Sequence, residues 1–196
     1  MDSIILIAFV FLAFAMLLIL FLKRGLSHLE SDERRAGRMG ERFATQIISE
    51  VLKKDDVLFT NVKLSFEGKQ TELDNVIINN RGVFIIEVKN YSGELIGGED
   101  DYEWIKNKVT EGGFYQKTVK NPIGQVKRQI YILSNYLKKH GVKVWVEGYV
   151  FFVEMNSPVK SDYVLTTQRD IDRALHAGTD NRLSVTGRDK IIKALT

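Results

Sequence analysis

The stretch TELDNVIINNRGVFIIEVKN, Thr71 to Asn90, decides how the rest of the chain is read. Two apolar runs, Val76-Ile77-Ile78 and Val83-Phe84-Ile85-Ile86, flank Asn79-Asn80-Arg81-Gly82. Asn and Gly tolerate the positive φ of tight turns, so the segment predicts a β-hairpin. With the turn centred between Asn80 and Arg81, Asp74 falls opposite Glu87 and Glu72 opposite Lys89.

Directly opposed side chains have Cβ atoms about 4.5–5.5 Å apart, where like charges weaken a sheet. Asp74 and Glu87 on one face therefore call for compensation. A divalent cation supplies it, because two carboxylates opening on space for waters and phosphate oxygens suit Mg²⁺. Side chains alternate along a strand, so Lys89 shares the face of Glu87, and Ile85 and Val83 continue that face inward. One end of the face carries chemistry and the other is core. A plainer reading stands beside this one: Glu72 and Lys89 form a cross-strand ion pair, and Asp74 caps the strand entrance.

Ile4 to Leu22 are nineteen consecutive apolar residues, about the 20 that a helix needs to cross the hydrocarbon core. The segment begins Met-Asp-Ser and ends Phe-Leu-Lys-Arg, whereas a cleaved signal peptide has a basic start, a shorter apolar stretch and a small-residue cleavage site. The expectation is an uncleaved transmembrane anchor over residues 1–24. Lys23, Arg24, Arg34, Arg35 and Arg38 follow the span and only Asp2 precedes it, so the positive-inside rule places the C-terminal part in the cytoplasm. The absence of cysteine agrees with a reducing compartment.

Residues 25–196 have the length of one ordinary domain. Of the chain's net charge of +3, Asp2, Lys23 and Arg24 lie in the anchor part, so the domain carries no strongly basic field that would by itself announce nucleic acid. From Ser31 to about Lys54, Met39, Phe43, Ile47, Ile48, Val51 and Leu52 recur at helical spacing, with Ser31 as N-cap. Glu41 lies on the Ala44 and Ile48 face of this helix, and a solvated surface charge is its plain reading. Val57 to Phe66 reads as a strand and Glu67-Gly68-Lys69 as the turn into the hairpin.

Beyond the hairpin, a short strand is expected within Gly93 to Gly98 and another around Trp104, separated by the acidic run Glu99-Asp100-Asp101, which reads as a solvated loop. Asn121-Pro122 opens a long helix through Lys139, with Gly141 ending it. Its apolar stripe is Ile123, Val126, Ile130, Leu133 and Leu137, while Lys127, Arg128, Lys138 and Lys139 read as a solvated face. Val142 to Val153 is rich in β-branched and aromatic residues and predicts a strand buried on both sides. A shorter strand at Tyr163 to Thr166 and helices near Gln168–His176 and Gly187–Leu195 complete the chain. Strands interleaved with helices make the expected class α/β with a mixed sheet flanked by helices. His28, His140 and His176 are scattered, and the chain lacks a Gly-rich phosphate loop, GxSxG and HExxH, so serine-hydrolase, kinase and zinc-protease readings have no support.

Gly40-Glu41, Glu72-Leu73-Asp74-Asn75, Gly82 to Asn90, Gly93 with Gly97, Trp104, and Asn121-Pro122 with Gln125 together resemble the nuclease-related domain (NERD) family. That family is placed in the PD-(D/E)xK nuclease superfamily, with its restriction-endonuclease-like fold. The resemblance runs from about Arg38 to Leu137. Glu72 stands where the family commonly has Gln, and Asn75 where it commonly has His. The resemblance implies that Asp74 and Glu87 hold Mg²⁺ or Mn²⁺ and that Lys89 orients and activates the attacking water. It also implies that Glu41 and Gln125 support the site from its rim. The expected protein is a membrane-anchored cytoplasmic nuclease acting on DNA or RNA. The competing reading is an inactive nuclease-like fold that binds nucleic acid or protein at the membrane, with a purely structural membrane protein behind it.

Overall fold

A computed structural model of the chain describes residues 2–178 and 183–196, with the side chains of 14–21, 34–178 and 183–196. The chain forms two compact units, Met1–Met39 and Gly40–Thr196. Helix α1 (Asp2–Val51) runs without interruption, so Ser31 lies inside it and does not cap a new helix. A single serine costs a helix interior only a few tenths of a kcal/mol, too little to break it. Among the described residues no helix is long and apolar enough to cross a membrane. Most side chains of the expected anchor, Ile4–Leu22, lie outside the described residues.

The second unit is built on a five-stranded mixed sheet in the order β1-β2-β3-β7-β8. Strand β1 (Val57–Phe66) pairs antiparallel with β2 (Lys69–Ile78), joined by a tight turn in which Glu67 and Gly68 have φ of 49° and 74°. Strand β3 (Val83–Lys89) pairs antiparallel with β2 in the expected register, Ile78↔Val83 through Asn75↔Ile86. The turn is held by Asn79, whose backbone N–H donates to Gly82 O at 3.1 Å and whose Oδ1 accepts from Arg81 N at 2.9 Å.

After β3 the chain leaves the main sheet for a three-stranded one, β4 (Glu94–Ile96), β5 (Glu103–Thr110) and β6 (Gly113–Lys120). It returns through helix α2 (Pro122–Lys139) to β7 (Val146–Phe152), which lies parallel to β3. Strand β8 (Val164–Leu165) adds a parallel edge, followed by α3 (Gln168–His176) and α4 (Val185–Leu195).

Alternation along β2 and β3 divides the core between the two faces of the sheet. Val76, Ile78, Val83 and Ile85 pack with Ile123, Val126 and Leu133 of α2, and with Ile191 of α4. Ile77, Phe84, Ile86 and Val88 pack with Ala44 and Ile48 of α1, and with Ile171 and Leu175 of α3. Burying a Val, Leu, Ile or Phe side chain is worth about 1.5–3 kcal/mol, so both faces of β3 are strongly held.

The structure corrects three other expectations. Met39 and Phe43 are exposed, because the Gly40–Ala44–Ile48 side of α1 is the side that is buried. Strand β7 starts at Val146 and not at Val142: the Val142 N–H donates to Leu137 O at 3.0 Å, closing the end of α2 behind Gly141 (φ 76°). Strand β6 was not expected at all, because its side chains are almost all exposed and it carries no apolar run.

Candidate active site

The β2–β3 ladder ends at Asn75↔Ile86, one step before the two carboxylates. Beyond it the Val88 N–H donates to Asp74 Oδ2 at 2.8 Å, so the aspartate side chain takes over from the ladder. Asp74 and Glu87 continue the sheet face of Val76, Val83 and Ile85, the face covered by α2. A carboxylate at the end of a buried face is only partly hydrated. Glu87 is 3% exposed.

Three donors grip Glu87. Its Oε1 accepts from Lys89 Nζ and from Gln125 Nε2, each at 2.6 Å, and its Oε2 accepts from Gln129 Nε2 at 2.6 Å. Gln129 Nε2 also reaches Glu72 O at 3.1 Å, while its Oε1 is buried without a hydrogen-bond partner. The two glutamines are four residues apart on one face of α2, which lets both amides meet the same carboxylate. That spacing was the available signal for Gln129, which the apolar stripe of the helix obscured.

Lys89 pairs with Glu87 and not with Glu72, so the cross-strand ion pair of the plainer reading does not form. Burial, the largest influence, would depress the Lys89 ammonium, but the charge and hydrogen bond of Glu87 together with Tyr91 and Asp74 outweigh it and hold Lys89 above the usual lysine value. Asp74 is pushed up to about 7, first by burial, then by repulsion from Glu87, with Glu41 adding to the same effect. Lys89 and the Val88 N–H oppose that rise.

Glu41 reaches this site because α1 comes very close to β3. A Cβ on Gly40 would lie 2.4 Å from Asn90 Cβ, so only glycine permits the approach. One turn on, Thr45 Oγ1 donates to the buried Asn75 Oδ1 at 2.9 Å. Asn75 therefore ties α1 to the hairpin on the sheet face opposite the carboxylates.

Glu41, Asp74 and Gln125 border an open cleft of about 1060 Å³, at the upper end of what a small ligand occupies. The Glu99–Asp101 run stands at its mouth. Asn121 Nδ2 donates to Glu99 O and Asp101 O at 2.8 and 2.7 Å, and Lys127 Nζ lies 3.6 Å from Glu99 Oε1.

The donor set fits a small hard cation. Among the described residues no group of three or more His, Cys, Asp or Glu side chains forms a cation cage. Mg²⁺ needs no such cage, since it keeps several waters and takes one or two carboxylates. The repulsion that raises Asp74 is the kind a divalent cation relieves. Around Glu87 the described groups in contact are an ammonium and two amides, with the Asp74 carboxylate beside them.

The sequence model of the nuclease-related domain matches residues 36–153, including all five expected site residues. A Bacillus anthracis protein, itself described as uncharacterized, is 33% identical over 91 residues, which is 45% of this chain and 41% of the relative. The chain thus spans well under half the length of that relative. No solved structure matches the chain.

Proposed function

The chain belongs to the nuclease-related domain family, and from that premise we propose that it is a metal-dependent nuclease hydrolysing phosphodiester bonds of DNA or RNA. The observation that carries the reading is the convergence of Asp74, Glu87 and Lys89 beside an open cleft, with two amides orienting Glu87. Its fold is read as restriction-endonuclease-like, as in the wider superfamily.

Asp74 and Glu87 would hold Mg²⁺ or Mn²⁺. Such an ion stabilises charge on phosphoryl oxygens and lowers the pKa of bound water. Gln125 and Gln129 fix the rotamer of Glu87, so that carboxylate presents its oxygens without paying to order them. Lys89 keeps its proton and supplies an ammonium to the scissile phosphate and the attacking water, where a fixed positive charge favours the crowded anionic transition state. Glu41 adds negative charge at the rim that favours a cation near Asp74.

The apolar run Ile4–Leu22 and the basic residues after it support membrane anchoring with the catalytic unit in the cytoplasm. The test is to incubate the full chain with labelled single- and double-stranded DNA and RNA, with Mg²⁺, Mn²⁺ or EDTA. Cleavage in either metal that EDTA stops is the expected result. Binding without cleavage in every metal would instead identify an inactive nucleic-acid-binding module.

A further inference from the structure

The β5–β6 hairpin is chemically two-sided. Its register pairs Lys106 with Lys117 and Lys108 with Tyr115, and alternation places these four on the face that begins, at the base of the arm, with Trp104 and Val119. The other face carries Ile105, Asn107 and Val109 against Thr118, Gln116 and Phe114, with Glu94 beside Asn107 and the Glu103–Lys120 pair at its base. Val109 and Phe114, 81% and 67% exposed, lie on that face, and the lysines share the face on which Trp104 is buried.

That basic face leads to the site. Trp104 is buried at its base, stacked 6.0 Å from Phe152, with its indole N–H donating to Gly98 O at 2.8 Å. Further out, Lys106 Nζ lies 5.6 Å from the centroid of the Tyr91 ring. Tyr91 follows Lys89 by two residues and feels the charges of both Lys89 and Lys117. The arm is held in this position by Gly93 (φ 93°), where an added Cβ would lie 2.2 Å from Asn107 O.

Resting on the nuclease reading of the site, we propose that this face of the β5–β6 arm is the substrate track, and that it takes a single nucleic-acid strand. Lys106, Lys108 and Lys117 follow the phosphates, and Tyr115 offers a ring on which an unpaired base stacks. A duplex keeps its bases stacked on each other and has none to give to Tyr115. The strand would run from the arm past Tyr91 to Lys89, which places a phosphodiester beside the carboxylates.

The test is fluorescence anisotropy with the full chain in EDTA, so that no cleavage interferes. A labelled oligonucleotide and its duplex are titrated over a salt series. Wild type is expected to bind the single strand more tightly than the duplex. Lys108→Glu with Lys117→Glu should weaken single-strand binding at least about tenfold and flatten the log Kd against log salt slope by about 1.4, the loss of two phosphate contacts. Tyr115→Ala should weaken binding several-fold with little change of slope. Gln116→Glu, on the other face, should change neither. Melting curves of each variant establish that it is folded, and Tyr115→Ala carries the test should the double variant not fold. Unchanged affinity and slope in the lysine variant, or duplex binding as tight as single-strand binding, would overturn the proposal. Hydrolysis of a small phosphodiester too short to reach the arm tests the site separately: its absence sinks the nuclease reading and leaves the binding result standing.

Discussion

Two antiparallel hairpins of the second unit, β2–β3 and β5–β6, obey the same pairing rules and reach opposite ends. In β2–β3 the strand side chains Val76 to Ile78 and Val83 to Ile86 are buried on both faces, and the polar groups beyond them are locked by hydrogen bonds: Asp74 to Val88, Glu87 to Lys89, Gln125 and Gln129. In β5–β6 nearly every side chain beyond Trp104 meets solvent. The buried hairpin can hold charged groups in fixed positions because packing has already met the cost of ordering its backbone. The exposed one offers reach and charge. On the proposed nuclease reading, a closely packed site beside a solvent-exposed arm would suit a long polymeric substrate, since only the bond being broken has to be held still.

The largest effect that would break this contrast is at Glu87. Glu87→Ala should abolish cleavage and also destabilise the domain by about 3 kcal/mol, because it leaves a buried ammonium and two amides without their acceptor. Rate assays with parallel denaturant melts check both. An active Glu87→Ala protein, or one as stable as wild type, would mean that the site is not the locked structure described.

Next comes Lys89. Lys89→Met should lower the cleavage rate at least about 100-fold while leaving metal affinity nearly unchanged, because the ammonium acts on charge that develops in the reaction. Since Lys89 pairs with Glu87, adding Glu72→Gln should not rescue it. Recovery of activity in the double variant, measured under single-turnover conditions, would reassign Lys89 to a structural pair with Glu72.

A smaller effect sharpens the electrostatic part. With its carboxyl pushed up to about 7, folded metal-free Asp74 holds a proton in a range where the unfolded chain has lost it. Its contribution to stability is therefore present at low pH and lost as pH rises through about 7. Between about pH 6 and pH 8 this amounts to roughly 1 kcal/mol. In EDTA, wild type should lose that stability on going to the higher pH, and Asp74→Asn should not. An identical pH slope in the two proteins would contradict the assignment.

How much of this was legible in the sequence follows the same division between the hairpins. The β2–β3 register could be read because a turn-forming Asn-Asn-Arg-Gly stands between two apolar runs, and a slip of one residue would have turned both runs to the wrong faces. The long helix could be read from Asn121-Pro122 at its start and Gly141 after its end, and the Asn121 side chain does accept from Ile123 N. Strand β6 could not be, because Gly113 to Lys120 has neither an apolar run nor burial to impose a pattern. Gln129 was hidden for the opposite reason: a polar residue in a buried stripe reveals its role only when its partner, Glu87, is seen across the layer.

The smallest expected effect on activity lies on the far face of the sheet. Thr45→Val removes the hydroxyl that donates to Asn75 and should cost about 1–2 kcal/mol by stranding a buried acceptor, with activity falling little. A stability change under a few tenths of a kcal/mol in a urea melt would show that Asn75 does not need α1.

Asp74→Asn offers the most direct test of the account, because it removes the carboxylate charge while keeping an oxygen to accept from Val88 N. Its single-turnover cleavage of a labelled strand in Mg²⁺ should fall to background while its melting temperature in EDTA at pH about 8 rises above that of wild type. Cleavage at the wild-type rate by this more stable protein would contradict the claim that Asp74 and Glu87 form the hydrolytic centre.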